Sequence, residues 1–302
     1  MQKIPPMKLL GFAAGITIVF VWSGWIVASR SGATSALTVF DIAALRFGIS
    51  GLVALPIVLY YKPWRTMSIS RIFVVSQLTG ITYFLAVITA FNYAPAAHGG
   101  VFMNGILPAI TIALGWFWFR DRPHIIQVLG ASLIIVGASI TLFGDSGATT
   151  DGAWKGDLLF MLAGLFFALY MVVSKMWSIT FQQIMLCSPV VNAILYMPVW
   201  YFLLPSGMAD ATVPEIALQG VYQGLIATLV GLVLVAFAVR QIGAPIAAAL
   251  MSAVPALAAG LGYLILGEEF NMTGWISLMI LTPGIILTAV WNKPPKAKLK
   301  KA

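Results

Sequence analysis

The chain has 302 residues, of which 61% are hydrophobic and 9% charged, with a formal net charge of +8 and a mean hydropathy of +0.98. A soluble domain carries about 25% charged residues, so an ordinary aqueous enzyme is excluded. A helix needs about 20 apolar residues to cross the hydrocarbon core of a bilayer, and this chain has room for many crossings.

In chain order, uncharged apolar stretches run over 8–29, 42–61, 72–92, 98–119, 124–143, 158–174, 182–204, 216–239, 244–266 and 273–292. Backbone polar groups in lipid must be satisfied internally, and the period-two alternation of a barrel strand is absent, so all ten are expected to be helices. The first stretch is longer than the roughly 7–15 apolar residues of a signal peptide and is expected to remain as an anchor. Cys187 is the single cysteine and falls in the seventh stretch. Neither a disulfide nor a Cys-rich metal site is expected, and no cofactor. No long linker marks a separate soluble domain.

With an even number of spans both termini share one side. Lys3, Lys8, Lys62, Arg65, Arg71, Arg120, Arg122, Lys175, Arg240, Lys293, Lys296, Lys298, Lys300 and Lys301 fall there, 14 of the 17 basic residues. The other side has Arg30 and Lys155, and Arg46 lies inside span two. By the positive-inside bias both termini are expected in the cytoplasm, with the chain in a bacterial-type inner membrane. The basic tail, 293–302, suits anionic lipid and not nucleic acid. The expected partners are the bilayer, a small-molecule substrate and, at most, a second copy of the chain as a homodimer.

The halves, 1–145 and 155–292, resemble each other. An offset of 147 residues places Pro108 on Pro255, Gly137 on Gly284 and Thr141 on Thr288, and an offset of 145 places Ser29-Arg30 on Ser174-Lys175. Five spans per half is an odd number, so homologous halves insert in opposite directions. The expected fold is therefore an all-α integral membrane protein of ten transmembrane helices in two inverted-topology five-helix repeats, an architecture of secondary transporters that work by alternating access.

Four features make the chain resemble the EamA-type branch of the drug/metabolite transporter superfamily across residues 8–292. They are Trp22-Ser23-Gly24 in span one, Ala44-Leu45-Arg46-Phe47 in span two, the prolines at the middle of spans four and nine, and Gly267-Glu268-Glu269 closing span nine. The resemblance implies movement of a small organic metabolite, often an amino acid and often outward, through a central site lined by spans one, three, four, six, eight and nine. Import of a vitamin or nucleoside-like solute, or drug efflux, stays open. One departure is Arg120-Asp121-Arg122, where the family often has a glutamate. Its role falls to Asp121 or to nothing.

Helical spacing puts Asn104, Pro108, Thr111 and Gly115 on one face of span four, with Pro255 at the matching place in span nine. The prolines remove backbone hydrogen bonds near mid-membrane and imply kinks. Trp22, Trp25, Tyr83, Phe167 and Tyr170 are candidates for an aromatic lining, with Trp22 and Tyr83 foremost. Arg46 stands where an unpaired charge costs about 2.5–3.5 kcal/mol on insertion scales. It must snorkel, pair with Asp41 or meet a substrate carboxylate. Gln219 and Gln223, like Ser188 and Asn192, face a substrate or a neighbouring helix. The sequence shows no acidic residue in the middle of a span, so a buried antiport carboxylate is not expected. His98 is the candidate proton site, against a satisfied histidine at a helix start. Gly144-Asp145-Ser146-Gly147 reads as a turn rather than a nucleophile motif, and no HExxH, phosphate-loop or dinucleotide signature occurs. A membrane-embedded enzyme is the remaining rival class.

Overall fold

The computed structural model describes residues 6–144, 152–269 and 271–291. The basic tail and Asp145, Ser146 and Gly147 lie outside them. Among the described residues there is no strand, and ten helices are long and apolar enough to cross a membrane: α1 (Met7–Ala33), α2 (Val39–Tyr61), α3 (Ile69–Phe91), α4 (Ala96–Phe119), α5 (Ile125–Phe143), α6 (Ala153–Trp177), α7 (Phe181–Leu203), α8 (Val213–Ile242), α9 (Ile246–Leu266) and α10 (Met272–Val290).

Local chemistry sets the helix ends. Thr38 with Asp41, Thr180 with Gln183 and Thr212 with Glu215 form reciprocal capping boxes at the starts of α2, α7 and α8, so orphan N–H groups are satisfied by side chains. α6 starts at Ala153, earlier than the apolar run implied, because Lys155 and Asp157 are tolerated in its first turns. Asp157 is consequently a helix residue and is only 1% exposed.

The repeat is visible in the backbone. α5 and α10 are each 19 residues, 125–143 and 272–290, related by the 147-residue offset. They form the most extensive helix–helix contact. A Cβ on Gly130 would lie 2.7 Å from the Gly284 carbonyl, and one on Gly284 the same distance from that of Gly130. The Ser277 hydroxyl donates to Gly137 O at 2.6 Å and lies 2.6 Å from the Thr141 hydroxyl. Small residues let two backbones approach this closely in lipid, and the seam is self-complementary, as a two-fold relation requires.

The halves also interlock. α1 packs on α8 and α9, and its repeat partner α6 packs on α3 and α4. α4 and α9 are both interrupted: the regular helix stops at Ile106 in one and at Ser252–Ala253 in the other. It restarts as Leu107–Phe119 and Val254–Leu261, with Pro108 and Pro255 in the first turn. Proline lacks the N–H that a continuous helix needs but is accommodated at a helix start, so the expected kinks are present as breaks. Both helices end on a left-handed residue, Arg120 (φ 55°) and Gly267 (φ 67°). The next amide reaches back six residues in each, Asp121 N to Gly115 O and Glu268 N to Gly262 O, at 3.4 and 3.3 Å.

Candidate functional site

α1 begins and α10 ends at the same end of the bundle, which also carries Lys8, Lys62, Arg65, Arg71, Arg120, Arg122, Lys175 and Arg240 and is here called the basic end. At the opposite end lie Arg30 and Lys155.

Arg46 is the eighth residue of α2, about 10 Å along the helix from its start. The sequence offered Asp41 as its partner, and the structure corrects this. Asp41 is fully buried and accepts from Thr38 N, Thr38 Oγ1, Gly207 N and Trp200 Nε1 at 2.8–2.9 Å. Both of its oxygens serve the α2 start and the α7–α8 connection. Arg46 instead holds its guanidinium carbon over the rings of Phe84 (4.6 Å), Trp25 (5.7 Å) and Phe47 (6.0 Å). Among the described residues its guanidinium makes one hydrogen bond, from Nη1 to Gln223 Oε1 at 3.4 Å. Its Nε is buried and has no acceptor among the described residues.

Gln223 is committed to helix contacts. Its Oε1 accepts from Trp25 Nε1 at 2.6 Å, and its Nε2 donates to Ser29 Oγ and Gln219 Oε1 at 3.0 and 3.2 Å. Gln219 in turn donates to Ala28 O at 2.7 Å. Both glutamines thus tie α8 to α1. Gln223 has no amide hydrogen left for a solute, and its oxygen faces the arginine. Asn192 is likewise interhelical: it accepts from Ile81 N at 2.9 Å and donates to Ser76 O at 3.1 Å, satisfying the backbone where α3 breaks at Gly80. Trp25, a candidate for the aromatic lining, is buried.

Tyr83, adjacent to Phe84 on α3, donates to Met103 Sδ at 3.5 Å. Its ring lies 6.1 Å from Phe167, which is 5.6 Å from Tyr170. Three of the five aromatic candidates, Tyr83, Phe167 and Tyr170, thus form a row across α3 and α6, with Tyr170 half-buried at its end. Trp22 is half-buried against Gly231 of α8, whose Cβ position is 3.3 Å from the indole nitrogen. Asn104 and Pro108 are partly exposed on α4, and no hydrogen bond of the Asn104 side chain occurs among the described residues. Pro255 departs from the lining expectation: it is buried, and a Cβ on Gly100 would be 2.9 Å from its Cα. It seals α9 against α4 in this conformation.

His98 Nδ1 lies 2.8 Å from Asp157 Oδ1, each residue 1% exposed. The sixth apolar stretch, 158–174, stops just short of Asp157. The longer α6 brings it in, and the pair joins α4 to α6.

The two ends close differently. At the opposite end Arg30 Nε donates to Glu268 Oε1 at 2.7 Å, Glu268 Oε2 accepts from Ala96 N at 2.8 Å, and Arg30 Nη1 donates to Phe91 O. The pair's side chains are 18% and 16% exposed. At the basic end Lys175 and Asp121 stand 4.0 Å apart, 64% and 70% exposed. Lys175 is the repeat partner of Arg30, and Asp121 that of Glu268. The acid that departs from the family pattern has therefore kept a partner. The halves of α4 and α9 at the opposite end pack together around Gly100 and Pro255, while Leu107–Phe119 and Ala244–Met251 form no such packing at the basic end. Sequence offsets had already aligned Arg30 with Lys175. What was missing was the cross-pairing, because each pair joins elements from different halves.

The sequence model of the EamA-like transporter family matches residues 9–143 and again 154–290. The uncharacterized transporter YwfM of Bacillus subtilis is 28% identical over 223 residues, 71% of this chain and 71% of that protein. The S-adenosylmethionine uptake transporter of Rickettsia felis is 29% identical over 180 residues, 56% of this chain and 57% of the relative. A solved crystal structure shares the fold at a TM-score of 0.56 with 19% identity, covering 93% of this chain and 95% of that one.

Proposed function

The chain belongs to the EamA-like transporter family, and on that premise we propose that it carries a small organic metabolite, an amino acid or related compound, outward across a bacterial-type inner membrane by alternating access. The observation that carries this reading is the unequal closure of the two ends by repeat-related ion pairs. An inverted repeat supplies two equivalent closures and alternating access requires that they not be shut equally. With the basic end in the cytoplasm, the state described is closed outward and loosened inward. Arg46, Tyr83, Tyr170, Trp22, Asn104 and Pro108 are the proposed solute-facing residues. Gln223 holds the arginine in place, and Pro255 belongs to the outward closure. The proposed coupling device, if a proton is exchanged, is the His98–Asp157 pair.

The name of the Rickettsia felis relative favours one second reading, in which the same site works in uptake. Counterflow in proteoliposomes tests the class without knowledge of coupling. Vesicles loaded with amino acids, vitamins or amines are expected to accumulate trace labelled solute of one class above protein-free vesicles. Absence of flux for every class, from protein shown to be folded, would sink the transport reading.

A further inference from the structure

We infer that the transported solute carries a carboxylate and that Arg46 binds it; the inference rests on the transporter reading and names its cargo. The argument starts from an imbalance. A guanidinium has five N–H donors and no acceptor, and it stays charged. Among the described residues the ion pairs are Arg30–Glu268, His98–Asp157 and Lys175–Asp121, and Arg46 is in none. What surrounds it is neutral: Trp25 from α1, Phe47 from its own helix, Phe84 from α3 and Gln223 from α8. The acid nearest along the helix, Asp41, has its oxygens taken.

Arg46 therefore has one long bond to a neutral oxygen and a buried Nε–H with no acceptor. A cation within a membrane normally has a partner. Here the described residues supply none, and in a transporter the species that enters and leaves such a site is the solute. The geometry narrows its chemistry. Aromatic rings occupy the space over the guanidinium carbon, while the Nε edge keeps an unused donor. An edge of parallel N–H groups matches two carboxylate oxygens. Gln223, locked by Ser29 and Gln219, turns an oxygen to the arginine and orients it without competing as a counter-ion. The same positive site repels a solute whose only charge is an ammonium.

The test uses full-length protein and Arg46→Gln in detergent. Probes are mixtures of amino acids and short mono- and dicarboxylates at millimolar concentration, set against the amides and amines of the same carbon skeletons. Carboxylates are expected to raise the Tm of the wild type and to slow modification of Arg46 by phenylglyoxal several-fold, read by mass spectrometry. Amides and amines are expected to do neither. Arg46→Gln is expected to lose the Tm response while melting at or above the wild-type temperature, since it removes an uncompensated charge. Arg46→Lys, which keeps the charge without the planar fork, is expected to weaken the response. The inference is overturned if carboxylates protect nothing, if amides or amines protect equally, or if Arg46→Gln keeps the response. Counterflow separates the two readings. Flux of amines or amides that survives Arg46→Gln would retain transport and sink the carboxylate, whereas carboxylate binding without flux of any solute would do the reverse.

Discussion

Glu268 and Asp121 occupy equivalent places in the two halves, and their surroundings predict very different costs of removal. Glu268→Gln takes the charge from a part-buried pair and weakens the bonds to Arg30 and Ala96 N. Hydrogen bonds to charged groups contribute about 1.5–3 kcal/mol each. The variant is expected to loosen the opposite end, so that a cysteine at Ala97, buried in the parent, reacts faster with an impermeant maleimide. Asp121→Asn breaks an exposed 4.0 Å pair of a kind that contributes about 0–1 kcal/mol, and labelling at Ala97 is expected to stay as in the parent. Equal effects of both variants would contradict the unequal closures. His98→Gln offers a third contrast. With Asp157 left buried without its partner, Tm is expected to fall while counterflow persists. Loss of pH-driven flux at unchanged Tm would assign the pair to proton coupling.

Among the elements, α5 and α10 form a close-packed seam, and α4 and α9 are the two interrupted at prolines. Gly284→Ala would push a methyl to 2.7 Å from the Gly130 carbonyl. Backbone cannot yield as a side-chain tip does, and overpacking of this kind costs about 1–3 kcal/mol, read as a lower Tm in detergent. Pro108→Ala restores an N–H at a break that its partner helix repeats at Pro255. It is expected to slow exchange while leaving membrane insertion unchanged; faster exchange would remove the break from the mechanism. These elements also show what the sequence could tell. The spans were legible to within a few residues because hydropathy is a local property, and the prolines located the breaks of α4 and α9, though not that of α3 at Gly80. The start of α6 was missed because its first turns carry Lys155 and Asp157, and the burial of Asp157 is accounted for only by its contact with His98. Arg46 stood out by depth alone. Its ring neighbours, the exhaustion of Asp41 and the two-sided role of Gln223 were not legible, since each depends on which helices meet.

For the molecule as a whole, the charge bias makes a direct topological prediction. In a background where the buried Cys187 is replaced by serine, a cysteine at Lys155 is expected to react with impermeant maleimide in intact cells. One at Lys62 is expected to react only after the membrane is opened; the reverse pattern would invert the assigned orientation. The unequal exposure of the two ion pairs also carries a consequence for ionic strength. At 0.15 M salt the Debye length is about 8 Å, and exposed charges are screened far more than partly buried ones. Added electrolyte therefore weakens Lys175–Asp121 while leaving Arg30–Glu268 largely intact. The closure at the basic end, held by the exposed pair, is therefore expected to respond to ionic strength more strongly than the closure at the opposite end.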